Sequence, residues 1–505
     1  MVKRSVGIIG GGLAGLTAAA FLTQEGWSVD VFERADAPGG CASDYLLGGC
    51  RFPTGATIAF GLEEHGALQK LLTALDINVT AHVLHHPLDI VLADRAVGIY
   101  TETSVQTQEW QQKFPSIAPQ ISRLFHQSQL IADSLYALAK VQWSWPLSSW
   151  HDVWIAASTL WQYPRSWWGL ARYFTQPWRS LLSTYHLYPP KTPDQQAFMQ
   201  MLDALLIDSI QTTSENASAL MASLALDMYR RGSYTITGGL RTLADALVQR
   251  IERSGGRLHY RSIVKMCRWN ESLKQWSIST GPHEPNECSD VINATGRPLP
   301  GPSAHVTHTP WSPMTPSTGA FRVDGVIARR HLPMPLASHL PRSFQIVLPD
   351  ITGRPSYLHG AVYLTFHHNL CSNAQDILWT ATAHTAVQYW HPRLPRSVYH
   401  ARKEQAAAQV MAACDRVLPH LAALSSAVYV ATPVTYYRFL HKHSVGGIPL
   451  TAQQLLHIAG SRTAHPHLYQ AGDTVFPGPG TLSAVLSGFL AAQNVVGHRI
   501  RLRSS

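Results

Sequence analysis

Three glycines near the N-terminus have the spacing of a turn that can hold phosphates. Gly10, Gly12 and Gly15 fit the pattern G-x-G-x-x-G and lie between a short apolar run and a stretch with helical spacing. In this pattern the first glycine permits a tight turn, the second lets a pyrophosphate approach the backbone, and the third lets the helix pack on the strand. The first helical turn, which includes Leu13 and Ala14, then offers unpaired backbone N–H groups to the phosphates.

An acidic residue stands where the ribose of such a nucleotide needs an acceptor. The run Ser28–Phe32 predicts a second strand, and Glu33 follows it about 20 residues after the glycine turn. Arg34 comes directly afterwards, and we include it in the predicted nucleotide site. The turn and the acid together predict a dinucleotide site in which Glu33 accepts a hydrogen bond from the ribose. The alternative is a glycine-rich turn with an acid nearby by chance.

A second set of candidate binding residues lies near the C-terminus. Gly472 and Asp473 follow a short apolar run, and Gly480, Thr481 and Leu482 open a helix of small residues. The first turn of such a helix carries the positive end of its dipole.

Further motifs lie after the first acid, in the segments Gly39–Ala42, Gly55–Thr57 and Phe60–Glu63. With these segments and both terminal motifs, the chain resembles the phytoene desaturase and carotene isomerase family of FAD-dependent oxidoreductases over nearly its whole length. The nearest resemblance is to carotenoid desaturases and isomerases of the cyanobacterial type. One departure is Cys41, because many relatives place an arginine after the paired glycines.

The resemblance implies that FAD is the cofactor and assigns roles to several residues. Asp473 is expected to hydrogen-bond the ribityl chain, and the helix after it points its positive end at the flavin pyrimidine. The backbone at Val264 is expected to contact the adenine. Gly40, Cys41 and Thr57 are expected to lie beside the cofactor.

The segment 432–449 resembles the part of the family that approaches the isoalloxazine, and we interpret it as a wall of the active site. His441 and His443 lie within it and are candidates to move protons near neutral pH. Because the chain has 26 histidines, most of them must serve other purposes. No residue is predicted to be catalytic.

The resemblance also implies an α/β fold, with a Rossmann-type FAD-binding domain of the amine oxidase and glutathione reductase kind. We expect this domain to be discontinuous and to comprise residues 1–75, 233–300 and 455–505. Residues 76–232 and 301–454 then form an inserted α+β domain that binds the substrate and contacts a membrane.

Within the substrate domain, the first insertion is predicted to be mostly helical. The second contains the strand-like runs Ser343–Leu348 and Ala361–Phe366 and a helix over 397–417.

Composition limits the partners of this protein. A chain of 505 residues exceeds one compact core, and 45% hydrophobic with 14% charged residues is typical of a globular protein. The net charge of +9, from 40 Lys and Arg against 31 Asp and Glu, suits an anionic lipid surface. No nucleic acid partner is predicted, because the basic residues are not clustered. A soluble basic protein is the alternative.

A tryptophan-rich segment runs from Trp143 to Trp178; Arg165 and Arg172 lie within it, and Arg179 directly follows it. Indole rings favour the boundary between lipid headgroups and acyl chains, and arginine can bind lipid phosphates. The segment therefore predicts peripheral membrane contact, which would open a tunnel to an apolar substrate such as a carotenoid. The alternatives are an aromatic core or a dimer interface. The oligomeric state is not predicted.

The six cysteines are scattered and form no C-x-x-C pair, and we find no signal peptide. This pattern predicts free thiols, no metal site and a cytoplasmic location. The segment Thr474–Gly497 lacks charge, but its Gly/Pro-rich start and its polar residues argue against a helix that spans a membrane.

The leading functional hypothesis is a FAD-dependent carotenoid desaturase. A hydride would leave a saturated carbon of the polyene for flavin N5, and the neighbouring carbon would lose a proton. The alternative is a carotene cis–trans isomerase that uses reduced FAD and returns every electron.

A third possibility, an amine oxidase-like enzyme, would favour a flavin-facing lysine and an aromatic cage, and the sequence locates neither. A different class of function is a binding protein similar to GDP-dissociation inhibitors. Such a protein need not keep the acidic partners of the cofactor, so the presence of Glu33 and Asp473 argues against it.

Overall fold

The computed structural model describes residues 4–139, 170, 172–173, 175–281, 284–300, 318–349, 356–391, 393–442, 444–498, 500 and 502. The strands in these ranges are β1 Ser5–Ile9, β2 Ser28–Phe32, β3 Asp44–Leu47, β4 Cys50–Pro53, β5 Ala59–Phe60, β6 Ala81–Leu84, β7 Leu88–Val91, β8 Ala96–Ile99, β9 Ser233–Ile236, β10 Arg257–His259, β11 Met266–Asn270, β12 Gln275–Ser279, β13 Asn286–Cys288, β14 Asp290–Asn293, β15 Thr318–Ala328, β16 Arg342–Val347, β17 Leu358–Phe366, β18 Asp376–Ala386, β19 Ser425–Ala431 and β20 Leu468–Gln470. The α-helices in these ranges are Leu13–Gln24, Ala67–Ala74, Thr103–Lys113, Ala118–Ala139, Trp178–Thr184, Pro193–Ile210, Ala219–Arg231, Arg241–Arg253, Met334–Ser338, Arg396–Cys414, Leu421–Leu424, Pro433–Leu440, Ala452–His457 and Thr481–Val496.

A parallel sheet carries the N-terminal glycine turn, with the strand order β10-β2-β1-β14-β20. Each neighbouring pair of strands is parallel, so their carboxyl ends meet at one edge. Helices cover the sheet, which is why β1 and β2 are almost wholly buried. Helix Leu13–Gln24 packs closely on helix Thr481–Val496. Glycine at position 488 permits this approach, since a Cβ there would lie 2.1 Å from the carbonyl oxygen of Ala14.

A seven-stranded sheet forms the second layered unit, with the order β19-β15-β18-β17-β16-β7-β8. Its pairs are antiparallel except β16 with β7, which is parallel. One face is apolar and packs against helix Arg396–Cys414, through residues such as Val362, Leu364 and Trp379. The opposite face carries more polar side chains and looks toward the inside of the molecule.

Helices of the first insertion pack near that inward face. Helices Ala118–Ala139, Pro193–Ile210 and Ala219–Arg231 form a large apolar core, and Pro193–Ile210 contacts β16 and β17. Thr192 caps this helix by accepting a hydrogen bond from the Gln195 backbone N–H at 3.2 Å, which fixes where the helix begins.

The predicted α/β architecture is confirmed. Strands β16 and β17 fall on the predicted runs, and helix Arg396–Cys414 covers most of the predicted 397–417. The first insertion is less uniformly helical than predicted, because it begins with the strands β6, β7 and β8. Two of these join the seven-stranded sheet, and β6 pairs with β9. The domain limits stay a prediction.

The prediction that all six cysteines are free is wrong for one pair. Cys50 and Cys371 form a disulfide that joins β4 to the turn before β18, across 321 residues of sequence. Cys41, Cys267, Cys288 and Cys414 are free thiols. The pairing could not be predicted from cysteine spacing, because the two cysteines meet only through the tertiary fold.

The predicted membrane-contact segment, 143–178, lies almost entirely outside the described residues. Trp178 is described, and it is fully buried in the helical core rather than exposed on a surface. In the described part of the chain, no helix is long and apolar enough to cross a membrane.

Candidate functional site

One cavity of about 2140 Å³ runs from the N-terminal glycine turn to the inward face of the seven-stranded sheet. Pockets that hold one small ligand have volumes of roughly 300–1,000 Å³. The cavity therefore has room for a dinucleotide and a second molecule of considerable size.

The glycine turn lies at one end of this cavity, where β1 meets helix Leu13–Gln24. Gly10 has φ +110°, a conformation that glycine adopts without strain. A Cβ on Gly12 would meet nothing within 4 Å, so this backbone is open to a ligand. Gly15 has a different role, because a Cβ there would lie 2.0 Å from the carbonyl oxygen of Gly10. Leu13 and Ala14 line the cavity at the helix N-terminus.

Glu33 lines the same end of the cavity, at the end of β2. Its two carboxylate oxygens accept hydrogen bonds from the backbone N–H groups of Gly11 and Ala35, each at 2.7 Å. A carboxylate offers about four acceptor positions, so acceptor capacity is left for a ribose hydroxyl. Arg34 also lines the cavity, and its buried Nη1 has no hydrogen-bond partner among the described residues. An anionic or polar ligand would satisfy this nitrogen.

Cys41 follows the paired glycines and is exposed to the cavity. The surrounding protein buries the thiol from bulk solvent, which raises its pKa, while the nearby Lys442 ammonium opposes this shift. Gly40 and Thr57 also line the cavity, and the Gly40 carbonyl accepts a hydrogen bond from Thr54 Oγ1 at 3.1 Å.

Asp473 lies at the centre of the cavity wall, and it forms an ion pair with Lys442. Burial lowers the pKa of Lys442, but the charge of Asp473 and its hydrogen bond to the ammonium more than offset burial and raise the pKa overall. The ammonium is therefore charged at neutral pH. The sequence alone did not point to Lys442, which lines the cavity beside Asp473.

Helix Pro433–Leu440 places Lys442. Thr432 caps its first turn by accepting a hydrogen bond from the Val434 backbone N–H at 3.2 Å, and a proline follows the cap, so the helix begins at a defined point. His441 lines the cavity beside Lys442 and stacks on Tyr437 with ring centroids 5.4 Å apart. His443, the other candidate histidine, lies outside the described residues.

The C-terminal helix begins at the cavity. Gly480 is open on the side where a Cβ would stand, and Thr481 and Leu482 line the cavity directly after it. Gly472 also lines the cavity and donates a backbone hydrogen bond to Ser487 Oγ in the same helix at 2.9 Å. This contact holds the Gly-Asp segment against the helix N-terminus.

The structure thus brings the residues predicted from both ends of the sequence to one cavity. Val264 also lines it, after β10. Gly15 lies behind the turn and acts through packing. The roles of all these residues in binding stay predictions.

The far part of the cavity has two different walls. Helix Ala219–Arg231 contributes Leu220, Met221, Leu224 and Met228, which form an apolar wall at helical spacing. The sheet wall is polar, because alternate residues of β15 to β18 face inward. Its polar members include Arg322, Asp324, Ser343, Gln345, Tyr363, Thr365, Thr380, Thr382 and His384. The sequence did not predict this polar wall.

Arg322 and Asp324 are buried at the middle of that wall. Arg322 Nε donates a hydrogen bond to Asp324 at 2.6 Å, and Tyr45 donates another at 3.1 Å. Burial raises the pKa of Asp324, and Arg322 lowers it in part. The hydrogen bond from Tyr45 connects the β3–β4 hairpin to the seven-stranded sheet.

Comparison with known proteins agrees with this architecture. Residues 8–75 match the model of an NAD(P)-binding Rossmann-like domain. The chain is 24% identical to prolycopene isomerase of Arabidopsis thaliana, over 97% of this chain and 82% of that protein. It is 23% identical to a 4,4'-diapophytoene desaturase of Methylomonas sp, over 51% of this chain and 47% of that protein.

Solved structures of low sequence identity share the fold. Putrescine oxidase bound to putrescine superimposes with a TM-score of 0.61 at 15% identity, covering 98% of this chain and 99% of that one. Cyclohexylamine oxidase from Brevibacterium oxydans gives 0.56 at 14% identity, with 98% of each chain covered.

The fold and the site together define a dinucleotide-binding protein with the architecture found in amine oxidases. In sequence, the chain is similar over nearly its whole length to prolycopene isomerases and over half its length to a carotenoid desaturase. The resemblance predicted from the terminal motifs is confirmed.

Proposed function

We propose that this chain is a FAD-dependent carotenoid desaturase. The observation that carries the proposal is the single cavity, which joins the dinucleotide turn to a second compartment with an apolar wall. A long polyene bound along that wall would reach the cofactor without crossing water. Similarity to a diapophytoene desaturase and to prolycopene isomerases supports a polyene as the substrate class.

Several features of the cavity fit FAD. The open backbone at Gly12 and the unpartnered Arg34 nitrogen suit a pyrophosphate, and Glu33 suits a ribose. Asp473, held beside the C-terminal helix, suits the ribityl chain. When bound, the flavin supplies the acceptor for the hydride that leaves the substrate.

Side chains of the cavity orient the substrate and set the charge of the cavity wall. Leu220, Met221, Leu224 and Met228 offer a continuous apolar surface to a polyene, and methionine adapts its shape to such a ligand. Lys442 places a fixed positive charge in the cavity wall, and Asp473 holds that charge in position. The buried Arg322–Asp324 pair helps to exclude water from the sheet side.

Isomerisation is the second candidate function. The specific observation in its favour is coverage: similarity to prolycopene isomerases extends over 97% of this chain, against 51% for the desaturase. Both reactions need the same cavity, but only desaturation removes hydrogen from the product.

An assay of the purified protein distinguishes the two reactions. The protein is reconstituted with FAD and incubated with ζ-carotene in detergent micelles, with and without a quinone as electron acceptor. With dioxygen excluded, a desaturase gives a product lighter by two hydrogens, and more than one turnover per flavin only when the quinone is present. An isomerase gives a product of unchanged mass and altered retention when the flavin is reduced. No product under either condition would contradict both proposals.

Peripheral membrane contact is part of the proposal, because a carotenoid reaches an enzyme from a bilayer. The net charge of +9 and the aromatic composition of 143–178 support it. Co-sedimentation with anionic vesicles, lost at high salt, tests it. The Cys50–Cys371 disulfide is of a kind that is unusual in a reducing compartment.

A further inference from the structure

Five polar side chains meet at the far end of the cavity, away from the glycine turn. They are Asp208, Tyr229, Gln345, Tyr363 and His384, and all of them line the cavity. We name this group the polar subsite. Asp208 is exposed to the cavity space, whereas Gln345, Tyr229 and His384 are more than nine-tenths buried.

Packing fixes the members of the polar subsite relative to one another. Gln345 and Tyr363 face each other across β16 and β17. The rings of Tyr363 and His384 meet edge to face, with centroids 5.7 Å apart. Tyr363 donates a hydrogen bond to the carbonyl oxygen of Ala204 at 3.1 Å, one helical turn before Asp208.

Several polar atoms of the subsite have no partner within the described part of the chain. Nδ1 of His384 and Oε1 of Gln345 are buried without a hydrogen bond. Asp208 forms no ion pair with any described residue, and the protein around the cavity partly desolvates its carboxylate, which raises its pKa to about 6. Burial also lowers the pKa of His384 to about 3, so its ring is neutral at physiological pH. Buried polar groups normally find partners, so this cluster points to a ligand.

We infer that the polar subsite binds a hydroxyl group, and that the chain therefore binds an oxygenated polyene more tightly than the matching hydrocarbon. The inference rests on the proposed function for the polyene itself. A hydroxyl group donates one hydrogen bond and accepts another. The Asp208 carboxylate and Oε1 of Gln345 accept, and Nδ1 of the neutral His384 ring donates or accepts according to its tautomer.

An ammonium group fits the polar subsite less well than a hydroxyl group. It can only donate hydrogen bonds, so a proton on Nδ1 of His384 would be left without an acceptor, whereas a hydroxyl oxygen accepts from it.

Binding of three matched probes to the flavin-loaded protein tests the inference. The probes are all-trans-retinol, the hydrocarbon with hydrogen in place of its hydroxyl group, and retinylamine. Quenching of tryptophan fluorescence gives each Kd in the same detergent. We expect retinol to bind at least about tenfold more tightly than the hydrocarbon, the effect of one hydrogen-bonded polar group.

Variants of the polar subsite test whether the preference for retinol over the hydrocarbon arises there. Asp208→Leu and Gln345→Met are expected to reduce the ratio of the two Kd values to about twofold or less while hydrocarbon binding persists, which also shows that they fold. Glu404→Leu, at an exposed position on helix Arg396–Cys414, is the control and keeps the ratio.

The other outcomes are distinct. Equal binding of retinol and the hydrocarbon by the wild-type protein overturns the inference and leaves the proposed function intact. Tighter binding of retinylamine than of retinol also overturns it, in favour of a cation site. If no polyene binds, the proposed function and the inference fail together.

Discussion

Gly12 and Gly15 lie in the same turn but differ in what an added side chain would meet. Substitutions at the two positions therefore distinguish a role in flavin binding from a role in fold stability. The Cβ position of Gly12 is open, whereas that of Gly15 lies 2.0 Å from a carbonyl oxygen. Gly12→Val should therefore fill the space of the pyrophosphate and abolish flavin retention with an unchanged unfolding temperature of the apoprotein. Gly15→Val should destabilise the fold by about 1–3 kcal/mol. Visible absorbance and thermal unfolding measure the two effects. Full flavin retention in Gly12→Val would contradict the assigned phosphate site.

The ion pair between Asp473 and Lys442 leads to a second prediction at this scale. Asp473→Ala should lose flavin and also lose stability, because Lys442 is left charged without its partner. The double variant Asp473→Ala with Lys442→Met should recover stability but not flavin. Flavin content after gel filtration and urea unfolding measure the two properties separately. If Asp473→Ala keeps its flavin, the assignment of Asp473 to the cofactor is wrong.

At the scale of elements, local patterns predicted the parts that are close in sequence. β1, the glycine turn and helix Leu13–Gln24 form one continuous stretch, and Glu33 ends the next strand. Both terminal motifs reach the same cavity, as the resemblance implied. Such short-range patterns carry their own geometry, so the nucleotide end of the site could be predicted.

The sheet wall could not be predicted in the same way. β7 and β8 have four residues each, and β7 pairs with β16 across about 250 residues of sequence. Whether Gln345 or Ile346 faces the cavity depends on the register of that pairing, because alternate residues of a strand point to opposite faces. Lys442 has no motif of its own, and only the fold brings it to Asp473.

Strands β17 and β18 lead to a prediction about pH. His384 lies in β18 and His367 directly follows β17, and burial, aided by Arg322 for His367, lowers both pKa values to about 3. An unfolded histidine has a pKa of about 6.5. The unfolded state therefore binds more protons between these values, and the stability from each neutral ring is lost as pH falls from about 6.5 toward 3.

Unfolding by urea at pH 7 and pH 5 tests this expectation. His367→Asn should reduce the loss of unfolding free energy between these pH values by about 2 kcal/mol relative to wild type. His400, which is exposed on helix Arg396–Cys414, is the control position, and His400→Asn should change nothing. An unchanged pH dependence in His367→Asn would show that His367 is not held neutral.

At the scale of the whole molecule, the Cys50–Cys371 disulfide joins the nucleotide end of the chain to the seven-stranded sheet. Under denaturing conditions without reductant, four of the six cysteines should react with a thiol reagent, and all six after reduction. Reduction should cost about 2–4 kcal/mol of stability, as is typical for a disulfide. The variant Cys371→Ser should be insensitive to reductant. Six reactive thiols before reduction would contradict the bond.

The central claim is that one cavity binds FAD and a polyene together and changes the polyene. The most direct measurement is the mass, absorption and retention of pigment from cells that accumulate ζ-carotene, neurosporene or lycopene and express either the wild-type chain or Gly12→Val. The account predicts a changed pigment with the wild-type chain, lighter by two hydrogens and red-shifted for a desaturase, and no change with Gly12→Val. Unaltered pigment in cells whose wild-type protein purifies with FAD bound would contradict it.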